Sequence, residues 1–344
     1  MSTTNTPKAV DVDAIVWHNP EDRIWGFHVH QELPLEDLPA SLVLQDQARS
    51  YLQGRGITID NDDVIKAGYG PHLQHMWELR VESIPAPRMD VLKHLGAALS
   101  FVALNRGTRP AYVHPCMHDE SLPVITQLRQ EGETNQAEAV WFGEKVAQHQ
   151  DFFFNPPLNV DGSVVDTRTS RLYATEDKAA LLEQGLKQLS GGDKSVVGPG
   201  DDPSKRVRGY HIHVDYMPGQ EEVAFAVYDR LIIYLLERKL RPSSTRIYKA
   251  HENGPHNQAG WEVKFEYTDH DPSATTEIIG IPIGWLMCNR QGLPVFLHCV
   301  AWEEGDLPEE LRSHTDYSFF IGNLPSLDFG FFERLIENAS VNSK

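Results

Sequence analysis

Gly26-Phe27-His28-Val29-His30 and Gly209-Tyr210-His211-Ile212-His213 are one phrase written twice, 183 residues apart. Outward from it, Gly70-Pro71-His72 returns as Gly254-Pro255-His256, Trp77-Glu78 as Trp261-Glu262, Asn105-Arg106 as Asn289-Arg290 and His114 as His298, all at an offset of 184. Gly143 pairs with Gly322 at 179. One match could be chance. Landmarks in the same order at nearly constant offset predict a duplicated domain, and a repeat of this kind decides the fold.

The copies span roughly 16–144 and 206–323, leaving 145–205 as a linker and 324–344 as a C-terminal helix and tail. Asn155-Pro156-Pro157, Gly191-Gly192 and Gly198-Pro199-Gly200 punctuate the linker as turns. Within it Ala180, Leu181, Leu182, Leu186 and Leu189 make an apolar stripe that predicts a helix over 176–189. A short closing helix over 327–336 is expected as a packing strap.

Each copy reads strand, helix, strand, helix, strand. Helices are expected over 40–53 and 221–238, strands over 76–82 and 261–267, a helix over 90–104, and short strands over 111–114 and 295–298. An extra strand near 56–60 would complete βαββαβ. In the second copy the later helix is in question, because Gly280, Pro282 and Gly284 fall in its interior. The expected class is α+β, as two tandem ferredoxin-like units.

Alternation assigns faces. Phe27 and Val29 point to the helices, so His28, His30 and Glu32 share the open face; Tyr210, Ile212 and Val214 leave His211, His213 and Asp215 there. Glu78 and Arg80, and likewise Glu262 and Lys264, fall on that face of the third strand. His28, His30, Glu78 and His114 would then converge, as would His211, His213, Glu262 and His298. Two imidazoles and a carboxylate with open positions suit non-haem Fe(II), and three imidazoles suit catalytic zinc; another divalent transition metal would also be served. Glu78 and Glu262 could instead pair with Arg80 and Lys264, while Glu32 and Asp215 are alternative ligands or solvated strand ends.

His72 and His256 sit in Gly-Pro turns and could reach the patches as acid–base groups. His314, in Ser313-His314-Thr315-Asp316, has Asn135 as its counterpart. Asn105-Arg106-Gly107 reads as a helix C-cap, with Arg106 and Arg290 as candidates to hold an anionic substrate. Cys116 and Cys299 read as bystanders.

The chain has 344 residues and a formal charge of −18, which excludes a nucleic-acid partner that needs clustered Lys and Arg. Forty per cent apolar residues can build cores, no apolar run reaches the length of a membrane span, and Met1 to Val16 has no signal-peptide stretch. Three cysteines without CxxC spacing fit a reducing, cytoplasmic setting. Histidine is the excess: sixteen residues.

His28-Val29-His30, Gly70-Pro71-His72, Asn105-Arg106-Gly107, Val113-His114-Pro115 and Trp141-Phe142-Gly143 resemble the DOPA 4,5-dioxygenase family. So do His211-Ile212-His213, Gly254-Pro255-His256, Leu297-His298 and His314-Thr315-Asp316. The first copy lacks the His-Thr-Asp element; the second departs at Asn289-Arg290-Gln291-Gly292 and at Cys299. The resemblance implies extradiol cleavage of a catechol, DOPA-like or otherwise, with Fe(II) and O2. It implies His256 or His314 as proton acceptor, with Arg80 or Lys264 offsetting substrate charge. His314 makes the second copy the expected active lobe, its metal held by His211, His213, His298 and Glu262. Family members are generally single-domain, so two copies in one chain imply an intramolecular pseudo-dimer. The rival readings are a zinc-dependent hydrolase and a non-catalytic pseudo-dimeric binding protein with a degenerate metal patch.

Overall fold

A computed structural model describes residues 11–82, 89–165, 168–190, 200–266, 276–301, 307–328 and 330–342. Gly191-Gly192, Gly198-Pro199 and Tyr267 lie outside them. The strands are β1 (Gly26–Leu33), β2 (Val64–Ile65), β3 (His75–Val81), β4 (Ala111–Cys116), β5 (Val140–Phe142), β6 (Gly209–Tyr216), β7 (Ser244–Tyr248), β8 (Ala259–Glu266), β9 (Val295–Val300) and β10 (Ser318–Ile321). They form a ten-stranded sheet in the order β2-β3-β1-β4-β5-β10-β9-β6-β8-β7, with antiparallel pairs throughout.

The principal helices are α1 (Leu38–Gly54), α2 (Met89–Asn105), α3 (Thr175–Ser190), α4 (Glu221–Glu237), α5 (Gly280–Asn289), α6 (Leu307–Thr315) and α7 (Gly330–Asn342). The inward strand residues Phe27, Val29, Trp77, Leu79, Tyr210, Ile212, Trp261 and Val263 share a core with buried residues of α1, α2, α4 and α5. Each fully buried aliphatic or aromatic side chain contributes about 1.5–3 kcal/mol, so this two-layer packing fixes which face each strand turns inward. Alternation therefore leaves the histidines on the face away from these four helices.

Three expectations change. Residues 56–60 are not a strand; the edge strand is the two-residue β2, and Gly56 turns the chain at φ 77°. The later helix of the second half does form, as α5. Pro282 sits in its first turn, where a missing N–H costs nothing. Its glycines serve close approach: a Cβ on Gly280 would lie 1.7 Å from the Leu92 carbonyl oxygen. The closing helix begins at Gly330, three residues later than expected, and runs to Asn342.

The halves meet in both layers. In the sheet, Trp141 pairs with Phe320 and Val140 with Ile321. Beside that seam, Arg106 donates to the Arg109 and Asp316 carbonyls (3.0 and 3.1 Å). Arg290 donates to the Leu293 and Ala137 carbonyls (2.9 and 3.4 Å) and to both oxygens of Glu138 (2.6 and 3.1 Å). Arg290, a candidate to hold an anionic substrate, is buried with Nη1 on its own half and Nε and Nη2 bonded to the opposite one. Arg106 plays the same part in reverse.

Candidate metal centre

Register brings the histidines together as alternation required. His28 lies opposite His114 and Arg80, and His30 opposite Glu78. His211 lies opposite His298 and Lys264, and His213 opposite Glu262. One ligand atom each from His28, His30 and His114 fall within 4.8 Å of one another, and so do those of His211, His213 and His298; all six residues are buried. The Nε2 atoms of His30 and His114 are 3.0 Å apart, those of His213 and His298 3.4 Å.

Burial, reinforced by the neighbouring imidazoles, holds His30, His114, His213 and His298 well below the ordinary imidazole pKa. Neutral rings keep a lone pair available at pH 7, the state a metal needs. The Nδ1 atoms of His30, His213 and His298 are buried with no hydrogen-bond partner. Stacked neutral imidazoles with opposed nitrogens gain little from each other, so the arrangement fits a divalent cation.

The carboxylate nearest the triads is not the expected one. His28 Nε2 donates to Glu82 (2.6 Å), and His211 Nε2 donates to Glu266. These hydrogen bonds pull both carboxyl pKa values down. Glu82 and Glu266 stand 184 residues apart, and the repeat could have found them. Glu78 is tied up by Arg80 (2.7 Å) and by Arg168. Burial alone would push Glu78 up, but Arg80, His28 and Arg168 outweigh it and hold its carboxyl at about 2. Glu262 stays closer to its triad, 3.6 Å from His213 and 3.9 Å from His211, with Lys264 at 3.4 Å. Arg80 and Lys264 are thus on the expected face but already paired.

Behind each triad a carboxylate orients the turn histidine. His72 Nδ1 donates to Glu32 (2.8 Å); His256 Nδ1 donates to Asp215 (3.1 Å to either oxygen). Glu32 and Asp215 are therefore supports of His72 and His256 rather than solvated strand ends. Tyr248 also donates to Asp215 (2.7 Å), while Nε2 of His256 is buried without a partner and its ring stacks on His213 at 4.2 Å.

The two patches differ in what surrounds them. In the first, Tyr112 stacks on His30 at 4.8 Å, donates to Glu32 and accepts from Gln148 (2.9 Å). In the second, Phe296 takes the corresponding place, His314 lies 3.9 Å from His298, and Phe332 backs His314 at 4.6 Å. Cys116 also departs from expectation: its sulfur, a ring nitrogen of His28 and an oxygen of Glu82 lie within 4.8 Å of one another. Cys299 turns into the core.

The chain is thus a two-layer α+β protein whose sheet carries two buried histidine triads that could hold a metal ion. Residues 210–331 match the Dopa 4,5-dioxygenase family. That segment holds His211, His213, His256, His298, His314, Glu262 and Glu266, and it points to an oxygenase. A solved structure from Nostoc punctiforme, provisionally named a dioxygenase, is 24% identical over 38% of this chain and 94% of its own, with a TM-score of 0.27. The periplasmic protease PqqL of Escherichia coli aligns over 77% of this chain and 39% of its own at 9% identity, with a TM-score of 0.18. Neither superposition is close enough to carry an argument. No curated protein matches the sequence. Among the described residues no helix is long and apolar enough to cross a membrane.

Proposed function

We propose that the chain is a non-haem iron dioxygenase performing extradiol ring cleavage of a catechol, built as two tandem ferredoxin-like units with turnover in the second. The carrying observation is the buried triad His211, His213 and His298, with Glu266 bonded to it, inside the segment that matches the dioxygenase family. The repeated strand order on either side of the β5–β10 seam supports the duplication.

Iron would be held by His211, His213 and His298 with Glu266 or Glu262 as carboxylate, a borderline donor set suited to Fe(II). When bound, ferrous iron supplies a common centre for catecholate and dioxygen and a path for charge between them. The residues around it do the rest. His256, its Nδ1 hydrogen committed to Asp215, presents a bare Nε2 to accept a hydroxyl proton. His314, against His298, is the second proton carrier. Lys264, paired with Glu262 at 3.4 Å, would offset the negative charge of the deprotonated substrate where Glu262 turns to the metal. Phe296 and Phe332 exclude water from the His314 side.

The first half has no histidine at the position of His314, and beside its His30 stands Tyr112, bonded to Gln148 and Glu32. The partners of this reading are a small dihydroxylated aromatic and O2. The test is protein purified without oxygen, assayed for iron, then mixed with catechols and air. Iron and a yellow ring-opened product are expected, lost in His211→Ala and His298→Ala and kept in His28→Ala. Iron-loaded protein that consumes no oxygen with any catechol overturns the reading.

A further inference from the structure

The open faces of the two halves differ in one donor. On β4, His114 and Cys116 are two residues apart and so share a face, and Cys116 stands opposite Gly26. On β9 the residue opposite Gly209, two beyond His298, is Val300. The first patch therefore offers sulfur where the second offers a hydrocarbon.

We propose that the first half holds a thiophilic divalent cation, zinc foremost, through His28, Glu82 and Cys116, at a centre chemically distinct from the sulfur-free site of the second half. The three donor atoms lie within 4.8 Å of one another. Zinc with ligand distances of about 2.0–2.3 Å sets tetrahedral donors roughly 3.3–3.8 Å apart, so a side-chain shift on the order of 1 Å closes the set. His28 belongs to both first-half groupings, with His30 and His114 on one side and with Glu82 and Cys116 on the other. Sulfur decides for the second, because soft thiolate selects zinc over iron.

Charge favours the same choice. A thiolate and a carboxylate neutralise a doubly charged cation, which lowers the cost of placing it among buried groups. On binding, the Cys116 S–H bond breaks and its proton passes to solvent as the S–metal bond forms. The His28–Glu82 hydrogen bond is exchanged for two metal bonds, the ring proton moving to the other nitrogen so that the imidazole stays neutral. Glu82 lines a cleft of about 620 Å³ with Arg23, Trp25, Met117 and His118. Three protein ligands beside an open cleft leave the fourth position to water or a small anion, the pattern of a reactive zinc site.

Cobalt tests this on the full chain, stripped with a chelator under reducing conditions and reloaded with Co2+. A near-ultraviolet thiolate-to-cobalt charge-transfer band is expected, abolished by Cys116→Val, kept by Cys288→Ala, and removed when Zn2+ displaces the cobalt. Val300→Cys leaves Cys116 in place and should about double the band, so the proposal survives any folding failure of the first variant. Cobalt binding without that band in the unaltered chain, a band that persists in Cys116→Val, or no gain in Val300→Cys overturns it.

Discussion

Gly96 and Gly280 lie against each other where α2 crosses α5. A Cβ on Gly96 would fall 2.7 Å from the Gly280 nitrogen, and one on Gly280 2.5 Å from the Gly96 nitrogen. The two residues are separated by 184, so each meets its own repeat counterpart. Trp141 and Phe320, separated by 179, do the same in the sheet. Contacts between positions at the repeat offset are what two units related by a two-fold axis would make.

Backbone lies on the far side of both glycines, so an added methyl cannot be absorbed by rotating a side chain. Gly280→Ala should lower stability by about 1–3 kcal/mol or more, as overpacking does. Urea denaturation would show the midpoint fall, while Gly292→Ala, with nothing within 4 Å, keeps its packing and bears only the strain of its φ of 77°.

Glu266 tests the carboxylate assignment. Glu266→Gln preserves a hydrogen-bonding group beside His211 but removes the charge, and iron affinity should drop about 10–100-fold. Competition with a chelator measures it. Glu262→Gln losing more than Glu266→Gln would return the role to Glu262.

Asp215→Asn replaces the acceptor behind His256 with an amide that can bind either tautomer. Oxygen uptake should slow by roughly 10²-fold or more with KM little changed. Glu32→Gln, the matching change behind His72, should leave second-half turnover intact. Equal losses from both variants would place turnover in both halves.

Acid sensitivity follows from the buried rings. His30, His114, His213 and His298 are held below the ordinary value of 6.5 in the folded chain. Below 6.5 the unfolded chain binds protons that the folded chain refuses. Stability of metal-free protein is therefore complete above 6.5 and falls as pH drops, by at most about 1.4 kcal/mol per pH unit for each ring. Denaturation midpoints at pH 7.5 and 5.5, read with and without metal, should diverge, because bound metal keeps the rings unprotonated.

Much of the site was legible because two periods coincided. The period of two placed His28 with His30 and His211 with His213 on one face, and the 183-residue offset between the two pairs made each pattern confirm the other. Glu82 and Glu266 escaped because they lie at or just past the strand end, where the reach of a long side chain matters more than its register. The edge strand Val64–Ile65 is too short to show alternation. Helix α5 looked unfavourable because Gly280 and Gly284 lower intrinsic helicity, whereas their use is contact with Leu92 and Gly96. Arg290 misled for a different reason: its partner Glu138 is 152 positions away in the chain, and no local pattern announces it.

The Arg106 bond to the Asp316 carbonyl carries a consequence for dissection. Asp316 follows His314 by two residues, so an arginine of the first half steadies the segment that delivers a histidine to the second. Cutting the chain at the linker would bare the β10 edge at Phe320 and Ile321, open the crevice at Gly280 and release that segment together. On the function proposed above, the second half is thus not a portable enzyme: it is a tenant of the first, whose arginine holds up its histidine-bearing segment.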